Sequence, residues 1–332
     1  MDSLSVAVPV FILTGIVVVI AGIGLAKYGD EIAEKTGWGA LWVGTILVSV
    51  ATSLPELITN ISAVVIQESP ELALGNVYGA DMMNIFTISM VALVFGVGNV
   101  FGGQRRDTQV LVLVAVVIGI IALGIGATGD IGLGPTSVGG IVIAMAYIGG
   151  MKLVYSTGKN EAVVADGGGE GEGRGSARSA WIGFGAASLA IIVTAPFLAA
   201  SADGIADATS LGESFVGVLA VSIVTTLPEA TVTVTAARRK SYGLVIGNIY
   251  GSCAFNLFVI PIADLGNSEP LLGFMETEHF VAAGAAVLLM SVGFAVIRAY
   301  QVQAVAWLRR SIYTVPVLYP AALAVVFVLS QD

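Results

Sequence analysis

The sequence has few charges and few of the residues that bind soft metals. Only 11% of its 332 residues are charged, and it contains one cysteine and one histidine. The single cysteine, Cys253, excludes an internal disulfide framework and a thiolate metal cluster. His279 lies at the edge of an apolar run beside Glu276 and Glu278, where an interfacial role is expected. Because copper and zinc prefer thiolate and imidazole ligands, any metal chemistry is expected to use oxygen ligands instead.

What remains is apolar enough to lie in lipid. Hydrophobic residues make up 56% of the chain, and the mean hydropathy is +0.93. A helix needs about 20 apolar residues to cross a bilayer, and ten runs approach or exceed that length. They cover about 6–26, 40–66, 72–99, 109–128, 131–152, 179–200, 214–237, 243–263, 277–297 and 312–330. The sequence therefore predicts an all-α polytopic membrane protein with ten transmembrane helices.

The basic residues predict the orientation of these helices. All 14 Lys and Arg residues fall in alternate connections between the ten runs, and the other connections carry only acidic residues. Since positive charges favour the cytoplasmic side, we expect a cytoplasmic central connection and both termini outside the plasma membrane. The span centres contain no Lys or Arg. No basic side chain is therefore expected to neutralise an acid buried in the membrane.

A stretch near the middle of the chain differs from its surroundings. Residues 156–180 include VVADGGGEGEGRGSARS, whose glycine and charge content predicts a flexible linker. It separates a first half, 1–155, from a second half, 181–332, each with five predicted spans. An odd number of spans per half places the halves in opposite orientations. The sequence thus predicts two inverted five-helix repeats.

The two halves share one duplicated passage. Residues 51–86 contain ATSLPEL and GNVYGADMMNIF, and residues 224–258 contain VTTLPEA and GNIYGSCAFNLF. Glu56 and Glu229 occupy the same place in each copy, 173 positions apart, and the glycine-rich segments agree at 6 of 12 positions. A carboxylate duplicated inside a membrane is therefore the feature that a functional interpretation must explain.

The TSLPE and TTLPE segments offer oxygen ligands around a helix break. Proline removes a backbone donor and clashes with the carbonyl one turn earlier, so Pro55 and Pro228 are expected to break their helices at the centre of the molecule. A proline kink that serves only packing is the alternative, but it does not explain two buried glutamates. Each ionised group near the midplane costs at least about 2.5 kcal/mol. Two facing carboxylates must be protonated or share a cation.

The glycine-rich segments add packing surface and neutral oxygens. Gly75–Gly79 and Gly247–Gly251 have the small-xxx-small spacing that lets helix backbones approach closely, and packing is their expected direct role. Asn84 and Asn256 offer amide oxygens, and Ser252 offers a hydroxyl. Two carboxylates among hard oxygen ligands suit Ca²⁺ or Na⁺.

These paired motifs resemble the α-repeats of the cation/calcium exchanger superfamily, most closely its prokaryotic sodium/calcium exchanger branch. The resemblance covers nearly the whole chain. It implies an antiporter in which Ca²⁺ and Na⁺ compete for one cluster of sites, and a first and sixth span that slide across an eight-helix core. It implies no cofactor, and no partners beyond membrane lipid and the transported cations; neither nucleic acid nor a protein partner is expected.

The resemblance also implies roles for individual residues. Glu56 and Glu229 would be bidentate calcium ligands and also sodium ligands, with the backbone carbonyls of Thr52 and Thr225 completing the calcium site. The remaining implied residues are those of the flanking sodium sites, Ser53, Thr226 and Ser252 with oxygens near Ser49 and Ser222, and those that line the central site, Asn84 and Asn256.

The sequence departs from the family pattern at three positions. Ala80 stands where the family usually has serine, and Asn256 stands where many sodium-coupled members have aspartate. Asp81 is additional, and its counterpart is Cys253. Asp81 precedes Asn84 by three residues and so shares its helix face. It either restores the missing negative charge from the other half, or lies protonated or in a solvated vestibule. The coupling ion is therefore left open.

The prediction is a secondary antiporter that exchanges Ca²⁺ for Na⁺ at a midplane site by alternating access. A proton-coupled cation exchanger is the closest alternative, because protons would neutralise the glutamates equally well. A passive cation channel would need a ring of ligands or a filter loop, which the sequence does not show. An intramembrane aspartyl protease would need two aspartates within spans, and only Asp81 qualifies. An enzyme is therefore not expected.

Overall fold

The computed structural model describes residues 4–66, 68–165, 177–208, 225–267, 269–302 and 306–330. Within these ranges the regular structure is helical, apart from one isolated β-bridge between Gly132 and Ser137. A π-helical segment covers Val43–Val48, and 3₁₀ turns cover Leu271–Phe274 and Ser311–Thr314. The α-helices are α1 (Leu4–Thr36), α2 (Ala40–Trp42), α3 (Ser49–Val65), α4 (Pro70–Phe95), α5 (Val97–Phe101), α6 (Arg106–Thr128), α7 (Val138–Ala165), α8 (Ala177–Ala208), α9 (Leu227–Arg238), α10 (Tyr242–Asp264), α11 (Thr277–Gln301), α12 (Ala306–Arg310) and α13 (Val315–Leu329).

The membrane spans agree with the apolar runs of the sequence. Among the described residues, nine helical segments are long and apolar enough to cross a membrane. One of them, Ala40–Val65, combines α2, the π-helical segment and α3, and another, Ala306–Leu329, combines α12 and α13. The seventh predicted span, 214–237, is described only from Thr225 onward, where α9 begins two residues later. The all-α polytopic membrane architecture is confirmed.

The helices extend into the segment that the sequence predicts as a linker. α7 continues to Ala165 and α8 begins at Ala177, so both ends of 156–180 are helical. The segment from Glu161 to Ala165 contains neither glycine nor proline, so nothing in it ends the helix before the glycine-rich stretch. The glycine-rich stretch between these helices, 166–176, lies outside the described residues.

α10 forms the centre of the packed core. It is the most deeply buried of the nine spans, and it contacts α3, α4, α6, α7 and α9. Its fully buried apolar residues include Val245, Ile249 and Ile260. A helix that is apolar on every side can be buried on every side, which is why the glycine-rich second motif lies at the middle of the molecule.

α1 and α8 pack against each other at one side of this core. α1 also contacts α9, and α8 contacts α3. Both helices expose large apolar side chains, such as Ile20 on α1 and Leu189 on α8, as expected for helices that face lipid. At one end of α1, Asp30 Oδ2 accepts a hydrogen bond of 3.0 Å from Nε of Arg239, the residue directly after α9, and lies 3.0 Å from its Nη2. This ion pair joins α1 to the seventh span.

The two proline motifs differ in backbone structure. In the second copy the helix is interrupted at Thr226 (φ −82°, ψ 4°), and Pro228 lies in the first turn of α9. In the first copy Pro55 lies inside α3, and the irregularity comes earlier, in the π-helical segment that ends at Val48. The expected break at Pro55 is therefore displaced by about two turns. A π-helical turn inserts an extra residue and so rotates the rest of the helix.

Candidate cation site

The two copies of the proline motif meet at a pair of buried glutamates. Glu56 and Glu229 are each 1% exposed. Ser53 Oγ on α3 donates a hydrogen bond of 3.0 Å to Glu229 Oε1 on α9. Glu56 lies one turn further along α3 than Ser53 and is buried in the same part of the core. The structure thus brings together the carboxylates that the duplication predicts.

Buried oxygen atoms without a hydrogen-bond donor are concentrated on the predicted site residues. Among the described residues only two other buried side-chain oxygens, on Asp130 and Tyr250, share this property. The atoms on predicted site residues are Glu56 Oε1 and Oε2, Glu229 Oε2, Asp81 Oδ2, Asn84 Oδ1, Ser252 Oγ and Asn256 Oδ1. A buried polar atom without a partner costs about 1–3 kcal/mol. A cation among these oxygens would remove that cost.

The chemistry of this oxygen set fits a hard cation with few charged ligands. In the part of the chain that the structure describes, no three His, Cys, Asp or Glu side chains form a group able to hold a metal ion. A cation between Glu56 and Glu229 would therefore complete its coordination with hydroxyl, amide and carbonyl oxygens. Ca²⁺ accepts six to eight such ligands, whereas Zn²⁺ prefers four with nitrogen or sulfur.

The other residues of the first proline motif are buried beside the glutamates. Thr52 Oγ1 donates to the carbonyl oxygen of Ser49 at 3.1 Å, and the Ser49 hydroxyl donates to the carbonyl oxygen of Thr45. Ser49, Thr52 and Ser53 are each 0% exposed. The Ser49 hydroxyl proton thus points to a backbone carbonyl, whereas the single proton of Thr52 Oγ1 has two acceptors within reach, the Ser49 carbonyl oxygen at 3.1 Å and Asn248 Oδ1 at 3.4 Å.

The second proline motif is described only in part. Thr225 and Thr226 are buried at the helix interruption before α9. The carbonyl oxygen of Thr226 accepts the first helical hydrogen bond of α9, from Ala230 N at 3.0 Å. Ser222 lies outside the described residues, so its expected role in binding sodium stays a prediction.

Asp81 lies inside the protein and contacts the second half. Its side chain is 0% exposed, so the prediction that it could lie in a solvated vestibule is wrong. Asn256 Nδ2 donates to Asp81 Oδ1 at 3.0 Å, and Asp81 Oδ2 has no donor. A carboxyl group therefore lies one hydrogen bond from the Asn256 amide, on the neighbouring helix α4. Burial of this carboxyl follows from its place on α4, which packs against α10.

The glycines of the second motif allow the close approach expected from their spacing. A Cβ atom on Gly247 would lie 2.4 Å from the carbonyl oxygen of Leu41, and one on Gly251 would lie 2.8 Å from that of Thr45. Both contacts are with the helix that leads through the π-helical segment to Ser49. Packing without side chains at these two positions brings α10 against the first proline motif.

Sequence reasoning missed four buried polar residues that join the motifs. Asn76 and Asn248 follow the first glycine of each second motif, and Asn60 and Thr233 lie one turn after Glu56 and Glu229. Asn76 Nδ2 donates to Asn60 Oδ1 at 2.9 Å, and Asn248 Nδ2 donates to Thr233 Oγ1 at 3.0 Å. Asparagine stands at this position in both motif copies, and that repetition is the feature of the sequence that could have identified Asn76 and Asn248. Which residues they hydrogen-bond depends on how the helices are rotated, which the sequence does not show.

Fold and site together define a class of protein. Apolar helices enclose a buried set of oxygen ligands at the junction of two copies of one motif. In a membrane, charged groups facing the interior of a helix bundle mark pathways for ions. The structure is that of a membrane transport protein for cations.

Comparison with known proteins identifies the family. The model described as "Sodium/calcium exchanger protein" matches residues 6–155 and 179–330. Inner membrane protein YrbG of Escherichia coli is 23% identical over 255 residues, 75% of this chain and 76% of that protein. The sodium/calcium exchanger MaX1 of Methanosarcina acetivorans is 35% identical over 82 residues, 24% of this chain and 23% of that protein. The chain belongs to the sodium/calcium exchanger family, whose members are membrane transporters and not enzymes.

Solved structures show the same fold. A structure of the sodium-calcium exchanger NCX_Mj, soaked with 2.5 mM Na⁺ and 10 mM Sr²⁺, has a TM-score of 0.73 to this chain at 21% sequence identity. The match covers 97% of this chain and 99% of that chain. A second structure, soaked with zero Na⁺ and Ca²⁺, has a TM-score of 0.70. At this level of identity the similarity establishes the fold, and the membrane architecture is that of a cation/Ca²⁺ exchanger.

Proposed function

We propose that this protein is a secondary active antiporter that exchanges Ca²⁺ for Na⁺ across the cell membrane. The observation that carries the proposal is that the buried oxygens without donors belong to Glu56, Glu229 and other residues of the two motif copies. One Ca²⁺ or a small number of Na⁺ ions can neutralise two carboxylates. Competition for the same oxygens links the two binding equilibria. The names of MaX1 and NCX_Mj, both sodium/calcium exchangers, support this pair of substrates.

The proposed ligands follow the two motif copies. Glu56 and Glu229 bind both ions, and the backbone carbonyls of Thr52 and Thr225 complete the calcium site. The other proposed ligands are the hydroxyl and neighbouring oxygens of the flanking sodium sites, Ser49, Ser53, Ser222, Thr226 and Ser252, and the central side chains Asp81, Asn84 and Asn256. The burial of every described member of this set supports the assignment.

The proposal includes two inverted repeats, 1–155 and 181–332, around a cytoplasmic connection. The family model matches the chain twice, over 6–155 and 179–330, which supports a division at this place. The alternating distribution of Lys and Arg supports termini outside the cell. Exchange by alternating access then requires one group of helices to move around the central site. α1 and α8 are the proposed moving pair, because they contact each other more extensively than they contact the core.

Calcium-45 uptake into proteoliposomes tests the function. Wild-type protein is expected to take up Ca²⁺ when the vesicles are loaded with Na⁺, and to show little uptake without it. Glu56→Gln keeps the shape of the side chain and removes its charge, and it is expected to abolish uptake. Glu34→Gln, an exposed neutralisation at the end of α1, is the matched control and is expected to retain wild-type uptake.

A pH gradient separates the proposal from its closest alternative. The donor-free oxygens of Glu56 and Glu229 would also be satisfied by protons, which is why proton coupling has to be tested. Uptake driven by a pH gradient into vesicles without Na⁺ would show that protons, and not sodium, are the coupling ion. Uptake that needs neither gradient and survives Glu56→Gln would indicate a passive pathway and would refute the proposed site.

A further inference from the structure

Asn248 lies between the two helices that carry the glutamates. It is on α10 and is 0% exposed. Its Nδ2 donates to the carbonyl oxygen of Glu229 at 3.2 Å and to Thr233 Oγ1 at 3.0 Å, both on α9. Its Oδ1 lies 3.4 Å from Thr52 Oγ1 on α3. One amide side chain therefore contacts both proline motifs.

These contacts restrain the part of α9 that presents Glu229. The Glu229 carbonyl also accepts a hydrogen bond of 2.7 Å from Thr233 Oγ1. Glu229 is in the first turn of α9, directly after Thr226, and the N–H groups of a first turn have no partner within their own helix. Asn248 supplies support from a neighbouring helix instead.

The position of α10 itself leaves Asn248 little freedom. The backbone nitrogen of Asn248 would lie 3.1 Å from a Cβ atom on Gly44, and the adjacent Gly247 packs against the carbonyl oxygen of Leu41. Backbone-to-backbone packing fixes α10 against the helical segment that leads to the first proline motif. A side chain anchored in this way can transmit the position of α3 to α9.

We propose that Asn248 is a positioning residue, which holds the Glu229 turn of α9 in register with Thr52 on α3 and thereby sets the Ca²⁺ affinity of the site. This inference rests on the proposed function. Asn248 contacts no transported ion in this proposal. It acts through the Glu229 backbone and through Thr52, whose own carbonyl is a proposed calcium ligand.

The first copy offers a comparison within the same molecule. Asn76 occupies the position of Asn248, and it donates to Asn60 at 2.9 Å, where the second copy has Thr233. A hydrogen bond from this asparagine to the residue one turn after the glutamate is thus present in both halves, to Asn60 in the first half and to Thr233 in the second. In the second half the Thr233 hydroxyl accepts a hydrogen bond from Asn248 and donates one to the Glu229 carbonyl. This pair of hydrogen bonds connects Asn248 to the helical turn that carries Glu229.

Sodium-driven calcium-45 uptake by the reconstituted full-length protein tests the inference. The half-saturating Ca²⁺ concentration (KM) and the maximal rate are measured for wild type, Asn248→Ala, Thr233→Val and the double variant. Loss of buried hydrogen bonds is expected to raise KM about tenfold in Asn248→Ala and about threefold in Thr233→Val. Both single variants lose the hydrogen bond between Asn248 and Thr233, but each residue also donates to the Glu229 carbonyl, so the double variant is expected to raise KM by less than the product of the two single effects.

A matched control separates positioning from general stability. Ser89→Ala removes another buried hydroxyl of the core, one that donates to the carbonyl oxygen of Phe86 at 2.7 Å, and it is expected to leave KM unchanged. Melting temperatures in ion-free buffer are recorded for all variants. A role in folding alone would lower the melting temperature and the active fraction while KM stays at the wild-type value.

The outcomes are distinct. An unchanged KM in Asn248→Ala overturns the inference and leaves the proposed function standing. If Asn248→Ala does not fold, Thr233→Val decides, because it keeps the shape of the side chain, and an unchanged KM overturns the inference again. Wild-type protein that neither binds nor transports Ca²⁺ overturns the proposed function and the inference together.

Discussion

The close approach of α10 to the helical segment that precedes the first proline motif can be tested through Gly247. A Cβ atom at this position would lie 2.4 Å from the carbonyl oxygen of Leu41, 3.0 Å from the nitrogen of Thr45 and 3.1 Å from Cα of Gly44. All three contacted atoms belong to the backbone. They cannot move aside by a change of rotamer, so Gly247→Ala must separate the two helices.

The expected magnitude follows from two opposing effects. Alanine in place of glycine favours a helix by up to about 1 kcal/mol. Overpacking of a close-packed core costs about 1–3 kcal/mol, and contact with rigid backbone places Gly247→Ala at or above the upper end of that range. The net result is a destabilisation of about 2 kcal/mol, which is expected to lower the melting temperature by several degrees.

The assay is thermal unfolding of the purified protein in detergent, with Gly284→Ala as the control. Gly284 lies within α11, and a Cβ atom there would meet no atom within 4 Å among the described residues. Gly284→Ala should therefore gain helix propensity without a clash and melt at or above the wild-type temperature. Equal melting temperatures for Gly247→Ala and Gly284→Ala would refute the backbone contact.

Two further substitutions test interactions between helices. Ser53→Ala removes the 3.0 Å hydrogen bond to Glu229, and we expect the half-saturating Ca²⁺ concentration in the uptake assay to rise about fivefold; an unchanged value would exclude a role for this hydroxyl. Asp30→Asn removes the ion pair with Arg239, which is partly exposed. The loss should be at most about 1 kcal/mol and should shrink at high salt, so a large, salt-independent fall in melting temperature would contradict this interpretation.

The sequence was sufficient to predict the architecture and the meeting of the two glutamates. Apolar length alone located the spans, because lipid leaves the backbone no alternative to helix. The duplication placed Glu56 and Glu229 in equivalent positions, and the structure joins their motifs through Ser53. Burial of Asp81 was left open, since a single carboxyl next to a glycine-rich helix face is compatible with either a wet or a dry environment.

Other features depend on the rotation and contacts of neighbouring helices and so could not be read from one segment. The π-helical turn before Ser49 lies where Gly247 and Gly251 of α10 pack against it. No residue within the turn itself indicates it in the sequence. The role of Asn248 likewise requires the position of Thr52 on another helix. The helical extension of α7 to Ala165 reflects local propensity beyond the membrane.

The ion pair between Asp30 and Arg239 has no equivalent at the corresponding positions of the other motif copy. Asp203 follows Asp30 by 173 positions, the same separation as between the two glutamates, yet the position 173 before Arg239 is Ile66. In the proposed topology, Lys and Arg are confined to the connections on one face of the membrane, so an ion pair of this kind can link the two proposed repeats only at that face. The proposed opening toward that face would then break a charged contact, whereas opening toward the opposite face would not.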